Sequence, residues 1–340
     1  MGAPQSRKRH AAEMPVSPTV YNAFVKLLPL ALFAGLIVTT CADSADLRVG
    51  IIGTDTSHVP AFTQMLNSAA GAKDHVPGAR VVAAYKGGSK DIENSISRVD
   101  QYAEDVRTKW GVEIVPDIAT LLGKVDAVLL MSVDGRIHLE QARPVIAAHK
   151  PLFIDKPLAA TLEDAREIAR LAKQAGVPWF SSSSLRYSEI GATMKFADAT
   201  GATTWGPGPF EPHHYLDLSW YAIHPVELLY TLLGPGCESV TRIAAETSDV
   251  IVGRWKDGRL GTVRAIRPYS EYGAVVYRPQ EIVEAKPQAA GSYRPLVLEI
   301  VKFFETGKPP VSNEETLEIF AFMDAAQRSK EQGGRPVALR

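Results

Sequence analysis

The sequence predicts an α/β fold: a doubly wound parallel sheet in the first half, followed by an α+β region with a largely antiparallel open sheet. Three observations predict it. Short apolar runs at 47–52, 81–85, 125–131 and 152–154 alternate with helix-like stretches, the spacing of a parallel sheet made of βαβ units. The first run ends at Gly53, and residues 59–66 then place apolar side chains at helical intervals, so a strand passes through a tight turn into a helix. From Gly201 the alternation gives way to successive strand-like stretches, among them 251–255 and 260–266, the pattern of antiparallel sheet.

The 340 residues, 46% apolar and 22% charged, are enough for two domains, expected at 43–184 and 185–340. Residues 1–42 differ in kind. Arg7, Lys8, Arg9 and Lys26 precede an apolar run at 27–38 that ends in Thr39, Thr40, Cys41 and Ala42, the order found in a secretory signal peptide. That run is shorter than the roughly 20 residues of a membrane span and contains Pro29. The expectation is export to the periplasm or beyond, with cleavage after Ala42 and no membrane insertion afterwards. A lipoprotein attached through Cys41 and a retained anchor are the alternatives, and Met14 is an alternative start. Cleavage leaves Cys237 as the only cysteine, which excludes a disulfide framework or a cysteine zinc site within one chain. A formal net charge of −1 without a basic stripe lacks the footprint of a nucleic-acid binder, so a small-molecule partner is expected.

Each element of the first half carries candidate chemistry at its carboxyl end. The first turn reads Gly53-Thr54-Asp55-Thr56-Ser57-His58, with only the first of the three glycines that let a dinucleotide pyrophosphate approach a helix N-terminus. Thr54, Thr56 and Ser57 offer hydroxyl donors to phosphate, whereas Asp55 would set a negative charge beside it. Asp55, Thr56 and Ser57 also suit plain helix capping. The second strand ends in Tyr85-Lys86-Gly87-Gly88-Ser89, where an acid for the ribose hydroxyls of NAD would be expected; Lys86 and Ser89 suit the 2′-phosphate of NADP better. The fourth strand ends in Asp155-Lys156-Pro157. Thr161 to Asp164 form a capping box that opens a helix, stopped near Ala175 by Gly176 and Pro178 before a further apolar stretch at Trp179 and Phe180. In the second half a helix is expected over 224–233, and amphipathic segments at 295–304 and 314–329 close the chain.

These residues resemble the Gfo/Idh/MocA family of sugar and cyclitol oxidoreductases. The resemblance rests on Gly53, the strand 127–132 with His138 after it, the stretch 150–158, the segment around His224 and the closing 309–329 stretch. It implies a Rossmann-type nucleotide domain that binds NAD or NADP through Gly53, Thr54, Thr56, Ser57, Lys86, Ser132, Asp155 and Lys156. Asp155 stands where the family usually has glutamate. The resemblance further implies that Lys156 lies near nicotinamide and substrate and assists catalysis. His224 would be the general acid/base, with Trp220, Tyr221 and Glu227 as substrate contacts. Trp220 replaces an aspartate frequent in the family. A homo-oligomer paired through the open sheet is also implied.

The activity so implied is oxidation or reduction at a hydroxyl of a sugar, cyclitol or sugar derivative. Free nicotinamide cofactors are scarce outside the cytoplasm, so an exported member would hold a tightly bound cofactor recycled within one turnover. The altered turn and Trp220 favour an alternative, a nucleotide-free relative: either a carbohydrate-binding pseudo-oxidoreductase or a metal-dependent sugar-modifying enzyme. For the latter, His213, His214, Asp217, His224 and Glu227 would supply nitrogen and carboxylate ligands.

Overall fold

The computed structural model describes Gly2 and residues 46–340 except 287, 289 and 290. The signal-peptide reading lies outside the described residues. The first half runs β1 (Leu47–Ile52), α1 (His58–Asn67), β2 (Ala79–Tyr85), α2 (Glu93–Ile96), α3 (Val99–Trp110), β3 (Glu113–Val115), α4 (Ile118–Leu122), β4 (Ala127–Leu130), α5 (His138–Ala147), β5 (Leu152–Ile154), α6 (Leu162–Ala175) and β6 (Trp179–Phe180). All six strands are parallel, in the order β3-β2-β1-β4-β5-β6. That order reverses direction at β1, and ligands of such sheets sit beyond the carboxyl ends of the strands at this switch point. The helix punctuation follows the sequence: Thr161 accepts from the Asp164 amide at 3.1 Å, and Gly176 ends α6 at φ 65°.

The second half comprises α7 (Glu189–Thr193), β7 (Gly201–Pro207), α8 (Ile223–Leu233), β8 (Cys237–Ala244), β9 (Ser248–Trp255), β10 (Leu260–Ile266), β11 (Gly273–Tyr277), β12 (Ile282–Glu284), α9 (Arg294–Thr306), α10 (Asn313–Glu331) and β13 (Val337–Ala338). Its seven strands are ordered β12-β11-β7-β10-β9-β8-β13 and pair antiparallel except for β7 with β10. Every residue of α8 is buried, because β7 and β10 lie against it, so an apolar helix is stable here without a polar face.

The two closing helices divide their packing. Leu296, Val297, Ile300 and Phe303 of α9 join the core that Val49, Ile51, Phe62 and Phe180 build on one face of the parallel sheet. Phe320, Phe322 and Met323 of α10 instead enter the core shared by α8 and the second sheet. Residues at the end of the chain thus reinforce the layer that carries the first turn, and Tyr293 at the start of α9 rests its ring against His58, with centroids 4.6 Å apart.

Candidate active site

A cavity of about 120 Å³ opens beyond the carboxyl ends of the parallel strands. The first turn brings Thr56, Ser57 and His58 to it; Val133 follows β4, Lys156 follows β5 and Ser184 follows β6. Trp220, Tyr221 and His224 arrive from the start of α8. The structure therefore brings together Lys156 and His224, the two residues expected to do chemistry, although 68 positions of sequence separate them.

Lys156 is half-buried, and its Nζ lies 5.3 Å from the centroid of the Tyr221 ring. Burial pulls its pKa below the ordinary lysine value; Asp155 opposes that pull and Arg98 adds to it. Asp155 does not face the cavity as a cofactor ligand. Its buried carboxylate accepts from Nδ1 of His58 at 2.6 Å and from the Lys156 amide at 2.8 Å. Burial pushes this carboxyl up, but His58 and Lys156 outweigh it and the group stays below its usual range. With Nδ1 donating to Asp155, the other ring nitrogen of His58 is left for the cavity that the ring lines.

His224 is braced from behind. Its Nδ1 pairs with Ser183 Oγ at 2.7 Å, and the Ser183 amide donates to Glu227 at 2.7 Å. Glu227 also accepts from Ser182 Oγ at 2.5 Å and Arg186 Nε at 2.9 Å, so its carboxylate is spent one layer behind the cavity. Glu227, expected as a substrate contact, does not line the cavity and is bonded instead to the segment that holds Ser183 against His224. Burial, with Lys156 and His58 nearby, drives the His224 pKa well below the ordinary histidine value, so its ring is neutral at physiological pH. Trp220 and Tyr221 line the cavity, and Trp220 packs edge-on against His214, centroids 5.2 Å apart.

The crevice where β1 separates β2 from β4 tests the fit of a dinucleotide. Gly53 has φ 88°, and a Cβ there would lie 2.3 Å from Ser132 Oγ and 2.4 Å from its amide nitrogen, so this glycine is required for the backbone approach alone. Beyond it the fit fails in this conformation. Asp55 is buried and bridges the crevice, accepting from Ser95 Oγ at 2.6 Å and the Val133 amide at 3.0 Å. Burial raises its pKa more than those bonds lower it. The stretch after β2 is tied down beside it: Ser89 donates to Asp134 at 2.6 Å, and Arg136 clamps Asp91 at 2.7 and 2.9 Å.

Four of the expected cofactor contacts have other partners in this structure. The Thr54 hydroxyl is buried and donates to the Val99 carbonyl at 2.8 Å. Thr56 accepts from the His58 amide at 3.4 Å through its hydroxyl and from the Val59 amide at 3.1 Å through its carbonyl, and Pro60 has no N–H, which leaves the α1 terminus short of free donors. Only Ser57 stays exposed and unbonded on the cavity rim. Lys86 pairs with Asp100 away from the cavity, and Ser132 donates to Gln141 at 2.8 Å. The crevice is open beside Lys156 and His224, whereas beside the first turn the chain's own side chains fill it.

The metal set considered above is not assembled. His214 pairs with Asp134 at 3.1 Å, His213 with Glu211 at 2.6 Å, and Asp217 with Arg242 at 2.6 Å and Lys330 at 2.7 Å. Among the described residues no group of three or more His, Cys, Asp or Glu side chains converges as metal ligands would. Sequence reasoning missed His58, Asn94, Arg98, Tyr272 and Tyr293 as cavity residues. His58 stands in the turn already singled out, and its pairing with Asp155 was the missing signal; Asn94 lies in the four-residue α2, and Arg98, Tyr272 and Tyr293 lie in connecting segments, all too short to show periodicity.

Residues 47–182 match the oxidoreductase family with an NAD-binding Rossmann fold, Gfo/Idh/MocA. The chain is 32% identical over 124 residues to 1,5-anhydro-D-fructose reductase of Ensifer adhaerens, covering 36% of this chain and 37% of that one. It is 33% identical over 135 residues to inositol 2-dehydrogenase of Paracoccus denitrificans, covering 38% and 34%. These matches span only about a third of the curated relatives' length. In fold, the chain superposes on a putative myo-inositol dehydrogenase from Sinorhizobium meliloti with TM-score 0.69 at 18% identity, covering 86% of this chain and 100% of that one. The myo-inositol dehydrogenase of Lactobacillus casei, solved with NAD(H) and myo-inositol, gives 0.67 at 19% identity, covering 87% and 97%. Over residues 47–182 the chain is thus similar to the Gfo/Idh/MocA oxidoreductase family with its NAD-binding Rossmann fold.

Proposed function

We propose that the chain is an NAD(P)-dependent oxidoreductase acting on a hydroxyl of a sugar, cyclitol or sugar derivative. The observation that supports this most is the meeting of Lys156 and His224 in one small cavity at the switch point of the family's nucleotide domain. A neutral imidazole is a proton acceptor, so His224 takes the proton of the substrate hydroxyl on oxidation and returns it on reduction. Lys156, its pKa lowered, holds the oxygen whose charge changes. Ser183 and Glu227 fix the His224 ring, and the aromatic side chains of Tyr221, Tyr272 and Trp220 offer flat apolar faces to a sugar ring while excluding water. A dinucleotide, when bound, supplies the hydride acceptor or donor. Its phosphates require Asp55 and the stretch that carries Ser89 and Asp91 to leave the positions they hold in the crevice.

The same reading takes the protein to be exported, with the cofactor retained between turnovers, and to pair through the uncovered face of the second sheet. Lys86, held by Asp100, supports no preference for NADP over NAD. One observation favours the second reading, a nucleotide-free relative: the buried bridge of Asp55 to Ser95 and Val133. The experiment is to follow dinucleotide reduction on a panel of sugars and cyclitols with Lys156→Ala and His224→Ala variants. Each should lose about 10²- to 10⁴-fold in kcat with the fold intact. Undiminished turnover in both would overturn the assignment.

A further inference from the structure

The cavity that holds Lys156 and His224 has an unbalanced lining. Arg98 reaches it from the junction between α2 and α3, and neither Arg98 nor Lys156 makes an ion pair or a side-chain hydrogen bond with any described residue. No lining residue is acidic. The nearest carboxylates are already committed: Asp155 accepts from His58 and the Lys156 amide, and Asp55 from Ser95 and Val133. Asn94, Ser184, Tyr272 and Tyr293 add polar groups that hydrogen-bond to no described side chain or backbone group through their own side chains. Donors thus outnumber acceptors, and two cations face one small space without a counter-ion, an arrangement that raises the free energy of each until an anion enters.

We infer that the ligand of this cavity is a small sugar acid, whose carboxylate is received by Arg98 within reach of the Lys156 charge, while its hydroxyls meet Lys156, His224 and the surrounding hydroxyl donors. Guanidinium is the group suited to a planar carboxylate, and a carboxylate in a confined site gains from charge-assisted bonds that a neutral sugar cannot form. The volume of about 120 Å³ fits a compact monosaccharide acid rather than a whole dinucleotide. This inference rests on the site proposed above but requires neither hydride transfer nor a bound cofactor.

The test is calorimetric titration of the full chain with D-glucuronate and D-gluconate against D-glucose and myo-inositol, with inorganic phosphate and NAD as separate probes. The acids should bind at least ~10-fold more tightly than the neutral ligands, the yield of one charge-assisted bond. Arg98→Met should erase that preference, Arg98→Lys should retain part of it, and Lys109→Met, a surface change of the same charge, should leave it untouched. Equal affinity for acids and neutral sugars, no measurable binding of either acid, or a preference that survives Arg98→Met would overturn the inference. So would a loss in Arg98→Met of affinity for NAD or phosphate alone, which would assign the anion to the cofactor. Because the titration reads binding without turnover, failure of the oxidoreductase reading leaves this result separately legible.

Discussion

Replacing Asp55 perturbs the crevice at the point where the chain departs from the family fingerprint. Asp55→Asn can keep both contacts, its Oδ1 accepting from the Val133 amide and its Nδ2 donating to Ser95 Oγ, while the buried charge disappears. Asp55→Gly loses both bonds. Leaving the Ser95 O–H and the Val133 N–H without acceptors costs roughly 1–3 kcal/mol, and glycine adds about 1 kcal/mol of backbone freedom. At roughly 2 °C per kcal/mol for a chain of this size, the glycine variant should melt some 4–8 °C lower. Because burial raises the Asp55 pKa, the folded state holds its proton to higher pH than the unfolded chain does. Wild-type stability therefore falls as pH rises from about 4 through the folded pKa, and Asp55→Asn should gain on wild type over that interval. The decisive comparison is thermal melting with and without NAD. With the bridge gone, the ligand meets an open crevice, so NAD should raise the Tm of Asp55→Gly more than that of wild type. Equal shifts in the two proteins, or an Asp55→Gly variant as stable as Asp55→Asn, would refute the bridge as the obstacle to phosphate.

Three further outcomes follow from the geometry. Gly53→Ala should destabilise the fold by more than about 3 kcal/mol, measured by urea denaturation, since its Cβ would overlap Ser132 backbone and side chain in a left-handed conformation. The His224 pKa lies below that of an unfolded histidine, so the unfolded chain binds the extra proton first on acidification; stability contributed by the neutral ring is present above about pH 6.5 and is lost below it, and the acidic limb of a kcat profile should fall below pH 6.5. Asp249→Ala should cost about 3–5 kcal/mol by removing one partner of the fully buried Arg242, whose guanidinium bonds Asp249 at 2.5 Å and Asp217 at 2.6 Å, with substrate binding unchanged in the folded fraction.

How far the sequence reveals this protein depends on the length scale of each signal. Strands 47–52, 152–154 and 179–180 are apolar runs bounded by Gly, Pro or charged residues, and the structure places β1, β5 and β6 on them. β3 at Glu113–Val115 is three residues at a sheet edge with an exposed glutamate, too short to show periodicity. The amphipathic stretch at 295–304 was readable as a helix; its place in the core of the first sheet was not, because its apolar stripe states that a partner exists without naming it. Lys156 and His224 were legible through a local motif and a resemblance. His58 was visible as a turn residue, yet its role depends on Asp155, 97 positions away. Thr54 and Glu227 carried the right chemistry for ligand contact, and only the three-dimensional structure reveals that Val99 and Ser183 have already claimed them.

The central proposition is that a nicotinamide dinucleotide works beside Lys156 and His224 in this chain. Its most direct test is to purify the protein without added cofactor, denature it, identify any released nucleotide by mass spectrometry, and titrate the emptied protein with NAD and NADP. The expected result is saturable binding of one dinucleotide per chain, strengthened in Asp55→Gly. No released nucleotide together with no binding of either dinucleotide would contradict it and leave a nucleotide-free relative that uses the same cavity.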